Sequence, residues 1–176
     1  MKLTALYQIF QECQSVTTDS RNCPDGSLFI ALKGESFNGN AFAKLALDSG
    51  CAYAIVDEAE YAVEGDRRYI LVDDCLQTMQ QLANYHRRQL GTRVIGITGT
   101  NGKTTTKELI SSVLCKAHNV LYTSGNLNNH IGVPTTLLRL KPEHDLAVIE
   151  MGANHQGEIK FLCGIAEPDY GIITNV

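Results

Sequence analysis

Short apolar runs alternate along the chain with longer segments in which apolar residues recur every three or four positions. The short runs are typical of buried strands, and the longer segments are typical of amphipathic helices. In the first half, helices are predicted at residues 3–12, 41–49 and 74–90, and strands at residues 16–21, 27–32, 52–56 and 69–72. Residues 34–40 are predicted to form a polar loop. Because alternating strands and helices build parallel sheets, this half is predicted to be a small α/β domain.

The second half begins near Thr92 and continues the alternation. Strands are predicted at residues 94–97, 120–122, 145–150 and 170–176, and helices at residues 105–117, from Pro134 onward and at 157–166. On helix 105–117 the residues expected to be buried are Leu109, Ile110, Val113 and Leu114. The predicted organisation is two α/β domains, residues 1–91 and 92–176. The last apolar strand would belong in the middle of a parallel sheet, so we expect an N-terminal piece of a longer protein.

The composition is that of an ordinary globular protein, with 44% hydrophobic and 19% charged residues. A net charge of −4 and the lack of a basic stretch argue against nucleic-acid binding. No apolar run approaches the roughly 20 residues that span a membrane. The six cysteines include no C-x-x-C pair, which favours reduced thiols in a cytoplasmic protein over disulfides or zinc ligands. Three of them lie in apolar stretches and are expected to be buried: Cys51, Cys115 and Cys163.

The segment VIGITGTNGKTTTK, residues 94–107, combines a strand, a glycine-rich turn, Lys-Thr and the start of a helix. Glycines let main-chain N–H groups close around a phosphate, and a helix N-terminus adds partial positive charge. Lys103 would reach the terminal phosphates of a nucleotide, and the Thr104 hydroxyl would bind Mg²⁺. The spacing differs from G-x-x-x-x-G-K-[ST], because Ile97 stands five residues before Gly102. The alternative is a glycine turn with an exposed lysine.

Glu150 ends an apolar strand, where a carboxylate can bind the Mg²⁺ that bridges nucleotide phosphates. The alternative is a solvated carboxylate at a strand end. Because the carboxyl ends of parallel strands share one edge of the sheet, Glu150 is expected to face the same ligand as the glycine-rich turn. The second domain is therefore predicted to be an incomplete P-loop-type nucleotide-binding sheet.

Polar loops supply further candidates. Asn126, Asn128 and Asn129 follow the second strand of this sheet and could orient a phosphate or a carboxylate, although asparagines also form turns. Ser20 and Arg21 could contact an oxyanion or a nucleotide base, although an exposed arginine needs no such role. Three histidines are not expected to be ligands: His130 and His155 lie in loops, and His86 lies on an apolar helix face.

GTNGKTTTKELI at residues 99–110 resembles the ATP loop of the Mur ligases, the ATP-dependent peptide ligases of peptidoglycan synthesis. TDSRNCPDGSLFIALKGESFNGNAFAKLALDSG at 18–50, GNLNNHIGVP at 125–134 and EMGANHQGEI at 150–159 resemble the member of that family that adds a dipeptide. The loop alone would also suit a folylpolyglutamate synthase. At residues 38–40 this chain has Asn-Gly-Asn where many family members have Asp-Gly-His, so no role is carried over to those positions.

The resemblance implies an ATP-dependent ligase that joins D-alanyl-D-alanine to UDP-N-acetylmuramoyl-tripeptide through an acyl phosphate. It implies a cytoplasmic enzyme that binds neither nucleic acid nor membrane and is a monomer when full-length. Its first domain, residues 1–91, would bind the UDP-sugar substrate and its central domain, from residue 92, ATP. The family also has a carbamylated lysine and a third domain beyond Val176, so the 176 residues are expected to be inactive alone.

The resemblance also implies roles for individual residues. Lys103 and Glu150 would be catalytic, and Thr104 and Glu150 would bind Mg²⁺. Ser20 and Arg21 would contact the uridine end of the substrate. Asn126, Asn128 and Asn129 would line the reaction cleft. The residues that would hold ATP are Gly99, Thr100, Asn101, Gly102, Lys103, Thr104 and Thr105. The alternatives are another amide ligase, either Mur-type or related to folylpolyglutamate synthase, and a non-catalytic nucleotide-binding module.

Overall fold

The computed structural model describes residues 2–175 and confirms the α/β class, with two parallel sheets. The chain divides into two compact units, Met1–Leu82 and Ala83–Val176. This division falls within a helix, nine residues before the domain boundary that the sequence predicts between residues 91 and 92. None of the helices within residues 2–175 has the length and apolar character required to cross a membrane.

The first unit is built on a four-stranded parallel sheet, in the order β1-β2-β5-β6. Its strands are short, and β2 and β5 supply buried apolar residues on both faces. Its elements are α1 (Leu3–Glu12), β1 (Val16–Thr17), β2 (Leu28–Ile30), β3 (Lys33–Gly34), β4 (Phe37–Asn38), α2 (Ala43–Asp48), β5 (Tyr53–Val56) and β6 (Tyr69–Leu71), with 3₁₀ turns at Gly39–Phe42 and Ala59–Tyr61. The next helix, α3 (Cys75–Leu90), contains the division between the units.

The predicted polar loop at residues 34–40 is wrong in part. Strands β3 and β4 form an antiparallel hairpin there, and Asn40 is buried. The Asn40 amide donates to Asp57 Oδ1 (2.8 Å), and its oxygen accepts from the Asp57 main-chain N–H (3.0 Å). A buried amide is tolerated when both of its ends are hydrogen-bonded, which hydrophobic patterning does not register.

The second unit is built on a parallel sheet in the order β10-β7-β9-β8. The strand expected in the middle of the sheet, β10, lies at one edge of the four described strands. After β7 the chain visits β8, returns to β9 beside β7, and then crosses to β10 on the other side. The elements are β7 (Arg93–Thr98), α4 (Lys103–Leu114), β8 (Val120–Tyr122), α5 (Gly132–Leu137), β9 (Leu146–Glu150), α6 (Glu158–Ala166) and β10 (Tyr170–Ile173). The predicted last residue of β10, Val176, lies outside the described residues.

The prediction of which residues of helix α4 are buried is also wrong in part. Leu109 and Val113, expected to be buried, are 63% and 70% exposed. The buried face instead runs through Lys107 and Ser111, and Ile110 and Leu114 pack against the core. Positions 107, 110, 111 and 114 follow helical spacing, and two of them are polar. The prediction is therefore right for Ile110 and Leu114 and wrong for Leu109 and Val113.

The cysteine prediction holds in part. All six thiols are free, and Cys51 is buried. Cys115 is exposed, contrary to expectation, because it lies just beyond the last residue of α4. Cys163 is only partly buried.

His86 is a core residue, as predicted, and its Nε2–H donates to the Leu140 carbonyl (2.9 Å). Burial lowers the pKa of His86, which favours the neutral ring in the folded state. The unfolded chain therefore binds a proton more readily than the folded chain. The contribution of the neutral His86 ring to the free energy of unfolding is present above about pH 6.5 and is lost as the pH falls below that value.

We expect the free energy of unfolding to fall between pH 7.5 and 5.5. Urea titrations of a His86→Gln variant should show a shallower pH dependence; an unchanged slope would contradict this role.

Candidate functional site

The glycine-rich turn and Glu150 lie at the same edge of the second sheet. Strand β7 pairs with β9 in parallel, and Ile97 is the register partner of Glu150. The chain then turns into α4 through Gly99 (φ 136°) and Gly102 (φ 80°). Residues other than glycine rarely adopt such backbone conformations. The turn therefore depends on its glycines, and the strand register places it beside Glu150.

Lys103, the first residue of α4, folds back over this turn. Its ammonium donates to the carbonyl oxygens of Gly99 (2.6 Å) and Thr100 (3.1 Å). The positive charge is thus held at the helix N-terminus, where main-chain N–H groups also favour an anion.

Glu150 is a buried carboxylate at the centre of a polar cluster. It is only 1% exposed, and its two carboxylate oxygens have different partners. Oε2 accepts from the Thr104 hydroxyl (3.0 Å), and Oε1 accepts from the Asn128 amide (2.8 Å). The structure thus brings together three of the predicted site residues: Thr104, Asn128 and Glu150.

A hydroxyl and a carboxylate oxygen are donors that Mg²⁺ prefers in sites completed by phosphate oxygens and water. Such a site needs few protein ligands. No cluster of three or more His, Cys, Asp or Glu residues suited to a metal is found within residues 2–175. The Thr104–Glu150 pair fits a Mg²⁺ that arrives with a nucleotide.

A cavity of about 690 Å³ opens beside Lys103 and Asn128. Its surface is divided almost evenly between polar and apolar groups, and Phe161 and Leu162 are among its apolar side chains. Its lining is Lys103, Asn128, Asn129, His130, Gly152, Ala153, Asn154, Gln156, Gly157, Glu158, Phe161 and Leu162. A substrate in this cavity would lie next to a phosphate bound at Lys103.

The three predicted asparagines behave differently. Only Asn128 bonds Glu150 through its side chain. The Asn129 side-chain oxygen accepts from the N–H groups of Ile131 (3.1 Å) and Gly132 (2.8 Å), so it supports the start of α5 while lining the cavity. Asn126 is exposed, and its main-chain carbonyl accepts from the Asn128 N–H (2.8 Å).

Ser20 and Arg21 belong to the first unit. The Arg21 guanidinium makes two hydrogen bonds to the Asp19 carboxylate, Nε–Oδ1 at 2.9 Å and Nη2–Oδ2 at 2.8 Å. These bonds lower the pKa of Asp19 to about 2. The Arg21 side chain nevertheless remains 87% exposed. The pairing fixes the guanidinium in one orientation and leaves most of its surface open to a ligand.

Two family models match the chain. Residues 12–87 match the model described as Mur ligase family, catalytic domain, and residues 97–176 match Mur ligase middle domain. The chain belongs to the Mur ligase family.

Curated relatives of this Mur ligase chain carry the name UDP-N-acetylmuramoyl-tripeptide–D-alanyl-D-alanine ligase. The protein of Bacillus subtilis (strain 168) is 46% identical over 161 residues, which covers 92% of this chain and 35% of the relative. That of Escherichia coli (strain K12) is 44% identical over 162 residues, with the same two coverages. The chain thus spans about a third of the length of the curated relatives it matches.

Solved Mur ligase structures agree with the fold. MurF from Acinetobacter baumannii superposes with a TM-score of 0.85 at 38% identity, covering 98% of this chain and 40% of that one. MurF ligase from Thermotoga maritima in complex with ADP superposes with a TM-score of 0.83 at 32% identity, covering 95% and 38%. The likeness extends across both units.

In this Mur ligase chain, Thr174 and Asn175 form a brace on the glycine-rich turn that sequence patterns do not predict. Thr174 and Asn175 follow β10 and bind both main-chain groups of Asn101. The Thr174 hydroxyl donates to the Asn101 carbonyl (2.5 Å), and the Asn101 N–H donates to Asn175 Oδ1 (2.8 Å). The signal available in the sequence is a Thr-Asn pair directly after an apolar strand, at the same sheet edge as the turn.

Two further residues near Glu150 are also missed. Lys107 and Thr123 are fully buried and polar. Spacing could have indicated Lys107, which lies one helical turn after Thr104 on the same face of α4. Thr123 directly follows a strand, as Glu150 ends one, but a single threonine there is too common a feature to predict a role.

Proposed function

We propose that this chain is the UDP-sugar-binding and ATP-binding part of an ATP-dependent ligase of peptidoglycan synthesis. The ligase joins D-alanyl-D-alanine to UDP-N-acetylmuramoyl-tripeptide. The observation that carries the proposal is the hydrogen bond from the Thr104 hydroxyl to the buried Glu150 carboxylate, beside Lys103 and the glycine-rich turn. The relatives' names supply the reaction, and the Thermotoga maritima structure with ADP supports nucleotide binding.

In this proposal the turn and Lys103 bind the triphosphate of ATP. The cofactor-binding set is Gly99, Thr100, Asn101, Gly102, Lys103, Thr104 and Thr105. Thr104 and Glu150 hold Mg²⁺, which when bound would neutralise charge on the phosphates. The Lys103 ammonium stabilises negative charge that develops during phosphoryl transfer. Lys103 and Glu150 are thus the proposed catalytic residues.

A free carboxylate is a poor acylating agent for amines, because oxide is a poor leaving group. Transfer of the terminal phosphoryl group to the tripeptide carboxylate makes an acyl phosphate, and the dipeptide amine then displaces phosphate. The cavity beside Lys103 is the proposed place for the reacting carboxylate. Asn128 and Asn129 line this cavity. We assign Asn126, which lies in the same loop, to the reaction cleft as well. No side-chain nucleophile is required.

We assign Ser20 and Arg21 to the uridine end of the substrate, because the Arg21 guanidinium is oriented by Asp19 and exposed. The first domain, proposed as residues 1–91, then holds the UDP-sugar, and the domain from residue 92 holds ATP. We further propose a cytoplasmic enzyme that is monomeric when full-length and binds neither nucleic acid nor membrane.

Calorimetry on the 176-residue chain tests this proposal. We expect saturable binding of ATP with Mg²⁺ and, separately, of UDP-N-acetylmuramoyl-tripeptide. A folate should not bind, which separates this ligase from folylpolyglutamate synthases. Failure of the folded chain to bind ATP would contradict the assignment of the turn, whereas failure to bind the UDP-sugar would contradict the assignment of the first domain.

We also expect the 176-residue chain to lack ligase activity. The sequence resemblance implies that the family has a carbamylated lysine and a third domain beyond Val176, and the chain spans only about a third of the length of its relatives. A coupled assay for ADP in the presence of ATP, UDP-N-acetylmuramoyl-tripeptide and D-alanyl-D-alanine measures this directly. Dipeptide-dependent ADP release would show that the chain is catalytically sufficient.

A further inference from the structure

Lys107 places a positive charge inside the second unit. The residue is 0% exposed and lies on the face of α4 that packs against the sheet. Burying an ammonium costs free energy unless it is paired and hydrogen-bonded, and an apolar side chain would fill the same space at lower cost. The contacts of the ammonium therefore explain why a lysine occupies this position.

The Lys107 ammonium is held at the carboxyl end of β8. It donates to the main-chain carbonyl of Thr123 (2.7 Å) and lies 5.9 Å from the centre of the Tyr122 ring. It also pairs with the Glu108 carboxylate (2.7 Å), whose side chain is 58% exposed. The aliphatic part of Lys107 thus packs in the core while its charged end fixes Thr123.

Thr123 passes this constraint to Glu150. Its main-chain N–H donates to the Val148 carbonyl (3.0 Å), which extends the pairing of β8 with β9. Its buried hydroxyl accepts from the Glu150 main-chain N–H (2.9 Å). Thr123 therefore fixes the backbone from which the Glu150 carboxylate projects.

The contacts close into a ring. Glu150 Oε2 accepts from Thr104, which lies on α4 three residues before Lys107. Side chains three residues apart on a helix lie on the same face. One face of α4 therefore holds Glu150 twice, directly through Thr104 and indirectly through Lys107 and Thr123.

We infer that Lys107 and Thr123 are positioning residues that hold the Glu150 carboxylate opposite the Thr104 hydroxyl for a Mg²⁺-bound nucleotide. The inference rests on the proposed function, since it requires Mg²⁺ at this pair. Neither residue touches the nucleotide. Their effect is confined to the Mg²⁺-dependent part of nucleotide binding.

The test measures the Kd of ADP for the 176-residue chain, once with Mg²⁺ and once with EDTA. Thr123→Val removes the hydroxyl with little change in shape, and Lys107→Met removes the charge. Thr123→Ser retains the hydroxyl and is the control for Thr123→Val. Lys116→Met is the control for Lys107→Met, because Lys116 is exposed just beyond the end of α4. Thermal melting of each variant establishes that it folds.

Thr123→Val and Lys107→Met should each weaken ADP binding about tenfold with Mg²⁺, the effect of losing a residue that supports a metal ligand. With EDTA the Kd should stay within about twofold of wild type, because the phosphate turn is unchanged. Thr123→Ser and Lys116→Met should match wild type. The double variant should lose little more than either single one, because both changes break the same ring.

Three results would overturn the inference. The first is a folded Thr123→Val protein with the wild-type Mg²⁺ effect, and the second is an equal loss with Mg²⁺ and with EDTA. The third is a wild-type chain whose affinity for ADP is the same with Mg²⁺ and with EDTA, which would also overturn the proposed metal site. If Lys107→Met does not fold, Thr123→Val decides alone, because its change in shape is small.

Discussion

Replacing Lys103 with methionine should weaken ATP binding by on the order of a hundredfold, because charge-assisted hydrogen bonds to phosphate are each worth about 1.5–3 kcal/mol. The variant should fold normally. The two partners of the Lys103 ammonium are carbonyls of a turn at the surface, which water can satisfy in its place. Titration calorimetry with ATP and Mg²⁺ measures the loss.

Lys116→Met is the matched control for charge, because this exposed lysine lies at the opposite end of α4. Its ATP affinity should equal that of the wild type. If Lys103→Met bound ATP as tightly as this control, the phosphates would have to lie elsewhere. The proposed ATP site would then be abandoned.

Gly99→Ala should destabilise the second unit by roughly 2–4 kcal/mol and abolish nucleotide binding, since it combines backbone strain with overpacking. At φ 136° an alanine is strained, and its Cβ would overlap the Thr174 hydroxyl and the Asn175 carbonyl. The brace that holds Asn101 would have to move. Urea unfolding followed by circular dichroism, together with ATP titration, gives both quantities.

Gly91→Ala separates strain from collision. Gly91 belongs to the same unit and also has a positive φ of 66°, but nothing lies within 4 Å of an added Cβ. This variant should lose only about 1 kcal/mol, the cost of a left-handed alanine, and keep its ATP affinity. Equal losses at the two glycines would mean that the brace of Thr174 and Asn175 has no energetic role.

The sequence predicts the part of the site whose residue types indicate their chemistry and whose positions follow from strand order. An apolar strand, glycines and Lys-Thr define the turn, and the parallel sheet then requires that Glu150, at the end of a second strand, lie at the same edge. These features are local, or follow from topology alone. They are sufficient to predict that Thr104 and Glu150 lie together.

The sequence fails where a polar side chain is buried for a specific partner. Leu109 and Val113 were expected inside because they are apolar, yet Lys107 occupies the buried face because Thr123 accepts its hydrogen bond. Asn40 is buried for the same reason, with Asp57 as its partner. Partners that lie 16 or 17 residues away cannot be recognised from periodicity.

The position of Glu150 also has a thermodynamic consequence. Its hydrogen bonds join β9 to α4, to the segment after β8 and to Asn128, so the proposed binding of a nucleotide with its metal requires that these parts be assembled. A ligand that binds only the assembled form acts as a reversible cross-link, and at a hundred times its Kd it adds about 2.7 kcal/mol to stability. Cellular nucleotide would thereby protect this half of the molecule from proteolysis.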